Sequence, residues 1–340
     1  MEYTVKGKSF DLCIKRNLYF TRKTYEMKRK NQTRKISRRS FLKTGTGLAA
    51  GTMLIGPGAS ELFGGTSRRP VDSIESVTLN NGVKMPILGF GTLYLNNELG
   101  IRCVSDAISL GYRLIDTATI YRNEEAVGKG IKRSGINREE LFITSKVWVD
   151  DYGHEKAKKA FQTSLDKLGT DYLDLYLIHR PRGDVKGSWQ AMEELYNEGR
   201  IKAIGVSNFE DNHLEKLMSY AKVKPAVNQV ESHVFFQQDK ANNSLKEHNI
   251  QMEAWSPLAQ ERNGHFTNQT LASIGEKYNK SNAQVSLRWH YQRGVVSIPR
   301  TSKKYHMMEN LNIFDFELDE FDLKRIDTLD LNRTQFPEWE

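Results

Sequence analysis

Leu114-Ile115-Asp116-Thr117-Ala118-Thr119-Ile120-Tyr121 decides how this chain is read. An apolar run ends in an aspartate, and a tyrosine follows five residues later in the loop. Lys146 and His179 hold similar places, at or near the ends of two later apolar runs. If these strands are neighbours in one parallel barrel, four polar groups meet at one mouth, because such a barrel gathers its chemistry at the C-terminal strand ends.

Strands and helices alternate outward from that stretch. Candidate strands fall at 87–92, 113–118, 142–147, 173–179, 202–207, 226–231, 251–256 and 295–299. Amphipathic helices fall near 98–110, 123–134, 154–168, 188–198, 211–221, 238–248, 268–278 with 282–293, and 304–311. Eight such pairs predict an α/β fold, a parallel (β/α)8 TIM barrel. Ser76-Val77-Thr78-Leu79 and Val83-Lys84-Met85 alternate around Asn80-Asn81-Gly82, which predicts an N-terminal hairpin able to plug the barrel bottom. An extra C-terminal helix is expected near 319–328.

The 340 residues are 38% hydrophobic, enough for one large core. The formal charge of +8 is unevenly placed. Residues 1–40 hold 13 Lys and Arg against 3 Asp and Glu, so the remaining 37 Lys and Arg face 39 acids. The basicity belongs to the leader, which argues against a nucleic-acid surface on the folded part. Of the two cysteines, Cys13 falls in the leader and Cys103 on a helix, where a small buried residue is expected. The eight histidines show no metal-ligand spacing, so no metal site is expected.

The leader spans residues 1–60, a linker 61–75 and the barrel 76–340. Ser37-Arg38-Arg39-Ser40-Phe41-Leu42-Lys43 precedes a short mild apolar run and then Pro57, Gly58, Ala59 and Ser60. That is the order of an export signal, and it resembles a twin-arginine signal. The apolar run is too short for a bilayer span of about 20 residues. The resemblance implies a twin-arginine export machinery as partner and an extracytoplasmic location, or a cytoplasmic one if the leader is unused. Met27 precedes a basic run and is a candidate true start.

The blocks along the folded part resemble the aldo-keto reductases from residue 76 to about 330. They are Gly89-Phe90-Gly91-Thr92, Asp116 through Tyr121 to Asn123-Glu124, Lys146-Val147-Trp148, Leu173 to His179, Ile204 to Phe209, Asn228-Gln229, Ser256-Pro257-Leu258, Ile298-Pro299 and Glu309-Asn310. The resemblance implies reversible reduction of an aldehyde or ketone, with Tyr121 as acid, Lys146 tuning its pKa, Asp116 pairing the lysine and His179 orienting the carbonyl. The chemistry fits those residue types. Hydride reaching a carbonyl carbon leaves charge on oxygen, which needs a proton donor. A nearby ammonium makes a phenol more acidic than its free value of about 10. No G-x-G-x-x-G fingerprint supports a Rossmann alternative.

The same resemblance implies a nicotinamide held by Ser207, Asn208 and Gln229, with Trp255 stacking where a Tyr is usual. Thr92, Ser256 and Leu258 are further cofactor candidates. At the adenosine end, Arg300-Thr301 replaces the usual Lys-Ser, and His306 replaces an arginine. Glu309 and Asn310 match adenine contacts. NADPH is the expected cofactor, with NADH or dual use open. Substrate candidates are Tyr94, Trp148 and Arg180, the last where Trp is usual, so an anionic carbonyl substrate is one option. The rival reading is a nucleotide-binding sensor with negligible turnover. A monomer is expected.

Overall fold

Leu173-Asp174-Leu175-Tyr176-Leu177-Ile178 is buried at every position, as a strand between a barrel interior and an outer ring of helices must be. The computed structural model describes residues 74–339. The leader with Arg38-Arg39, Cys13, and most of the linker lie outside the described residues.

Strands β1 (Ser76–Thr78) and β2 (Lys84–Pro86) pair antiparallel, pairing Val77 with Met85. The Asn-Gly pair does not form a two-residue turn. Gly82 N donates to Leu79 O at 2.9 Å, and Gly82 takes the left-handed φ of 85° at the last turn position. Asn80 Nδ2 donates to Pro225 O and Asn81 Nδ2 to Lys202 O, each at 2.9 Å. Both acceptors lie on the side where strands begin, so the hairpin closes the barrel bottom as expected.

Among the described residues, eight parallel strands follow in sequence order. They are β3 (Gly89–Gly91), β4 (Leu114–Asp116), β5 (Phe142–Val147), β6 (Leu173–Ile178), β7 (Ile201–Ser207), β8 (Val227–Glu231), β9 (Gln251–Trp255) and β10 (Val296–Ser297). The seam between first and last is closed by a parallel bridge of Leu88 with Ser297 and by Gly91 N donating to Pro299 O at 3.1 Å. Gly91 is needed there, since a Cβ would stand 2.7 Å from Ile298 O. The predicted strand 295–299 shrinks to two residues because Pro299 has no N–H to give the ladder.

Helices α1 (Asn97–Leu110), α2 (Glu124–Ser134), α3 (His154–Leu168), α4 (Val185–Asn197), α5 (Asp211–Met218) and α6 (Asp239–Glu247) follow β3 to β8 in turn. Strand β9 is followed by α7 (Gln269–Tyr278) and α8 (Asn282–Gln292), and β10 by α9 (Lys304–Leu311) and α10 (Glu320–Asp327). Cys103 is buried on α1. The one acid early in β6, Asp174, sits among Arg138, Lys202 and the Ile143 amide at 2.7 to 2.9 Å, so its burial is compensated.

One element has no counterpart in the sequence reading. After α10 the tail returns over the barrel mouth. Leu331 N donates to Phe235 O at 3.0 Å, and the chain ends near a short turn at Pro337–Trp339.

Candidate active site

Each of the four polar groups is fixed by the strand end it rides on. Asp116 ends β4 and Lys146 is the penultimate residue of β5. His179 follows β6 directly. Tyr121 closes a tight turn, Thr119–Tyr121, whose exit needs Arg122 at φ 54°. Asn123 locks that turn, donating to Thr92 O at 2.7 Å and Leu95 O at 3.1 Å while accepting from Thr117 Oγ1 at 2.8 Å. Thr119 Oγ1 donates to Lys146 O at 3.0 Å, tying the tyrosine loop to the lysine strand.

The four groups do meet. Lys146 Nζ lies 2.7 Å from Asp116 Oδ1, 2.9 Å from Thr117 O and 3.4 Å from Tyr121 Oη. The Tyr121 and His179 rings stand edge-on with centroids 6.0 Å apart, and Trp148 packs edge-on to His179 at 5.0 Å. Lys146 is fully buried. Burial pulls its ammonium down, but Asp116, Tyr121 and Glu253 outweigh that and raise it, so it is charged. Burial pushes the Asp116 carboxyl up, and the Lys146 contact and the Gln229 hydrogen bond oppose this. His179 is held well below its ordinary value by burial first, then by Lys146, Arg180 and Arg182, so its imidazole is neutral.

Tyr121 corrects one expectation. The adjacent cation does not leave the phenol more acidic than usual. Burial raises it, Lys146 opposes, and Asp116 adds to the rise. Burial outweighs the cation, which also sits closer to Asp116 and Thr117 O than to the phenol. Tyr121 is therefore a neutral phenol near physiological pH, with its proton in place.

Ser207, Asn208, Gln229 and Trp255 form a second, interlocked group. Ser207 Oγ donates to Gln229 O at 2.8 Å and accepts from Asn208 Nδ2 at 2.9 Å. Asn208 Nδ2 also reaches His179 O at 3.2 Å, and Asn208 Oδ1 accepts from Trp255 Nε1 at 2.9 Å. The indole is thus fixed beside three side chains able to bond a carboxamide, which fits a nicotinamide. Gln229 faces inward as well, its Nε2 donating to Asp116 Oδ2 and Glu253 Oε2, each at 2.9 Å. With both N–H bonds of the amide taken, the amide oxygen is what it has left to offer a ligand.

The other candidates spread along the rim. Thr92 is buried and donates to Asp116 O at 2.8 Å. Ser256 takes φ 51° and accepts from Gln260 Nε2 at 3.0 Å, with Leu258 partly buried against the core. Arg300 Nε donates to Leu93 O at 3.0 Å, and its guanidinium lies 6.0 Å from the Tyr94 ring. Thr301 Oγ1 and His306 Nδ1 are 3.4 Å apart. Glu309 and Asn310 lie on α9, where Asn310 is buried close to Tyr112, whose hydroxyl donates to Met307 O at 3.0 Å. The charge of Arg180 acts on both Tyr121 and His179.

Sequence reasoning missed Glu253, Glu231 and the tail aromatics. Glu231 ends β8 and accepts from Thr334 Oγ1 at 2.5 Å and Gln335 N at 2.8 Å. Arg262 binds Glu338 and lies 4.1 Å over the Phe336 ring. These ties bring Phe336 edge-on to Trp255 at 5.3 Å and Trp339 against it at 5.5 Å. The aromatic wall around Trp255 is therefore completed from the C-terminus. Its one signal was a pair of large aromatics beyond the last helix.

The profile of the Aldo/keto reductase family matches residues 87–331. Glyoxal reductase of Bacillus subtilis is 52% identical over 262 residues, 76% of this chain and 94% of that protein. Methylglyoxal reductase DkgA of Escherichia coli is 42% identical over 265 residues, 77% of this chain and 96% of that protein. The solved structure of a Bombyx mori aldo-keto reductase in complex with NADP superposes with a TM-score of 0.74 at 32% identity, covering 78% of this chain and 97% of that one.

Proposed function

The chain belongs to the Aldo/keto reductase family, and on that premise we propose that it reduces short aldehydes of the glyoxal and methylglyoxal type with NADPH, Tyr121 giving the proton. The class of reaction is that of the family: reversible, nicotinamide-dependent reduction of a carbonyl to an alcohol. The observation that carries the residue assignment is the single buried ammonium of Lys146 shared between Asp116 and Tyr121.

A reduced nicotinamide, when bound, would be held by Ser207, Asn208, Gln229 and Trp255, and the chemistry it would supply is hydride for the carbonyl carbon. The chain does the rest. A neutral His179 offers one N–H to the carbonyl oxygen and fixes its direction. Tyr121 Oη protonates that oxygen as negative charge builds on it. A phenol that stays protonated near neutral pH suits this, because the forming alkoxide is a much stronger base. Lys146 steadies the phenolate left behind, and Asp116 keeps the lysine in place. Trp148 walls the pocket beside His179 and limits water.

Arg180 supports an electron-rich or anionic substrate, since its charge reaches the two groups that handle the carbonyl oxygen. Arg300 supports NADPH, offering a guanidinium for a 2′-phosphate. The test is a carbonyl panel graded by size and charge, followed by loss of reduced-cofactor absorbance with NADPH and with NADH. Turnover of small dicarbonyls with an NADPH preference is expected. Slow oxidation with every carbonyl tried would favour a nucleotide sensor instead.

We further propose that the leader directs twin-arginine export, supported by Ser37-Arg38-Arg39-Ser40-Phe41-Leu42-Lys43 and the small residues after it. The machinery carries folded proteins, so a nucleotide enzyme is a reasonable cargo. Fractionation of cells with Arg38→Lys/Arg39→Lys tests it. An unchanged distribution would end the idea.

A further inference from the structure

Glu253 lies in the middle of β9, side by side with Gln229 on β8 and Val296 on β10. It is fully buried. Its Oε2 accepts from Gln229 Nε2 at 2.9 Å, and its Oε1 is buried with no partner. Among the described residues no cation pairs with it, because Lys146 is taken by Asp116. An ionised carboxylate with one amide donor and no counter-ion would cost several kcal/mol. A neutral acid costs far less. Asp116 from β4 and Lys146 from β5 are the charged groups acting on it, while Gln229 from β8 and Val296 from β10 are uncharged. Burial and Asp116 push the Glu253 carboxyl up to about 8.

A carboxyl kept in this place without a full set of partners calls for a reason. The Gln229 amide supplies one. A side-chain amide presents nitrogen on one side and oxygen on the other, and it can turn over. Two acceptors below it, Asp116 Oδ2 and Glu253 Oε2, use both N–H bonds of Nε2. The nitrogen is then pinned by two acceptors, and the amide oxygen is the group left to accept from a carboxamide NH2.

We propose that Glu253 is a positioning residue for the cofactor: a neutral carboxyl that, with Asp116, holds the Gln229 amide so that its oxygen meets the nicotinamide carboxamide. This rests on the reading that Gln229 contacts the nicotinamide. It also couples the cofactor's redox state to a proton. Ionised Glu253 would add a negative charge next to Gln229, which would favour the positive nicotinamide of NADP⁺ over the neutral one of NADPH. NADP⁺ binding should therefore tighten relative to NADPH as pH rises through the range where Glu253 ionises.

The experiment measures dissociation constants of NADPH and NADP⁺ by tryptophan fluorescence from pH 6 to 9, in full-length wild type, Glu253→Gln, Glu253→Leu and Gln229→Ala. Glu253→Gln keeps an acceptor oxygen and is uncharged at every pH. It should bind both cofactors within about twofold of wild type at pH 6.5 and lose the pH-dependent NADP⁺ preference. Glu253→Leu should weaken both by about threefold to tenfold, the worth of one hydrogen bond. Should Glu253→Leu fold poorly, the flat pH profile of Glu253→Gln still decides. Wild-type binding by Glu253→Leu alongside weakened Gln229→Ala overturns the proposal. A wild-type NADP⁺-to-NADPH ratio that ignores pH also overturns it. Unchanged binding in Gln229→Ala would instead sink the reading beneath it.

Discussion

Lys146→Met removes one charge and leaves Asp116 buried without its partner, 2.7 Å from where the ammonium stood. Breaking a buried pair from one side costs about 3–5 kcal/mol. The loss depends on pH in a definite direction. Burial already pushes the Asp116 carboxyl up, and the variant lacks the cation that opposes this. A raised acid favours the folded state at low pH and loses that advantage as pH climbs through its folded value. Relative to wild type, the variant should be nearly as stable at pH 5 and much less stable at pH 8. Urea denaturation at the two pH values measures it, and Asp116→Asn/Lys146→Met should recover most of the stability at pH 8. Catalysis follows a separate scale. A charge-assisted hydrogen bond to Tyr121 Oη of about 1.5–3 kcal/mol corresponds to a roughly 10- to 150-fold loss in kcat. The double variant should not recover it. An equal stability loss at both pH values, or kcat within twofold of wild type, would refute the reasoning.

Arg180→Ala should lower kcat/KM for carboxylated aldehydes by about tenfold and change neutral ones little, if its charge serves an anionic substrate. Equal effects on both, read in parallel steady-state assays, would contradict that. Arg300→Ala should raise KM for NADPH by about tenfold and leave KM for NADH nearly unchanged. Similar shifts with both cofactors would count against a 2′-phosphate contact. Glu231→Gln should loosen the tail, because the carboxylate accepts from both Thr334 and Gln335. Faster hydrogen exchange over residues 334–339, with altered Trp339 fluorescence, is expected; unchanged exchange would mean that the contacts of Arg262, Asn263 and Trp255 hold it without Glu231.

The barrel and the four groups at its mouth were legible because the signals are local. A polar residue ending an apolar run marks a strand end whatever its neighbours are, and Asp116, Lys146 and His179 each do this. What escaped depends on pairing between distant strands. Glu253 reads as an ordinary charge in Gln251-Met252-Glu253-Ala254-Trp255, and only the register that sets it against Gln229 shows it facing inward. Asn310 is buried on α9, and only the folded chain brings it near Tyr112, about two hundred residues away in sequence. The acidity of Tyr121 was misjudged in sign, since proximity to a lysine says nothing of burial or of how much of that charge Asp116 takes. Phe336 and Trp339 were in plain view, but a tail after the last helix carries no periodicity to place it.

The most direct measurement mixes enzyme loaded with NADPH against methylglyoxal and follows the first turnover, for wild type and for Tyr121→Phe. Wild type should oxidise its cofactor at least about a hundredfold faster, the usual weight of a general acid, while both bind NADPH equally. Matching first-turnover rates would show that the proton comes from elsewhere.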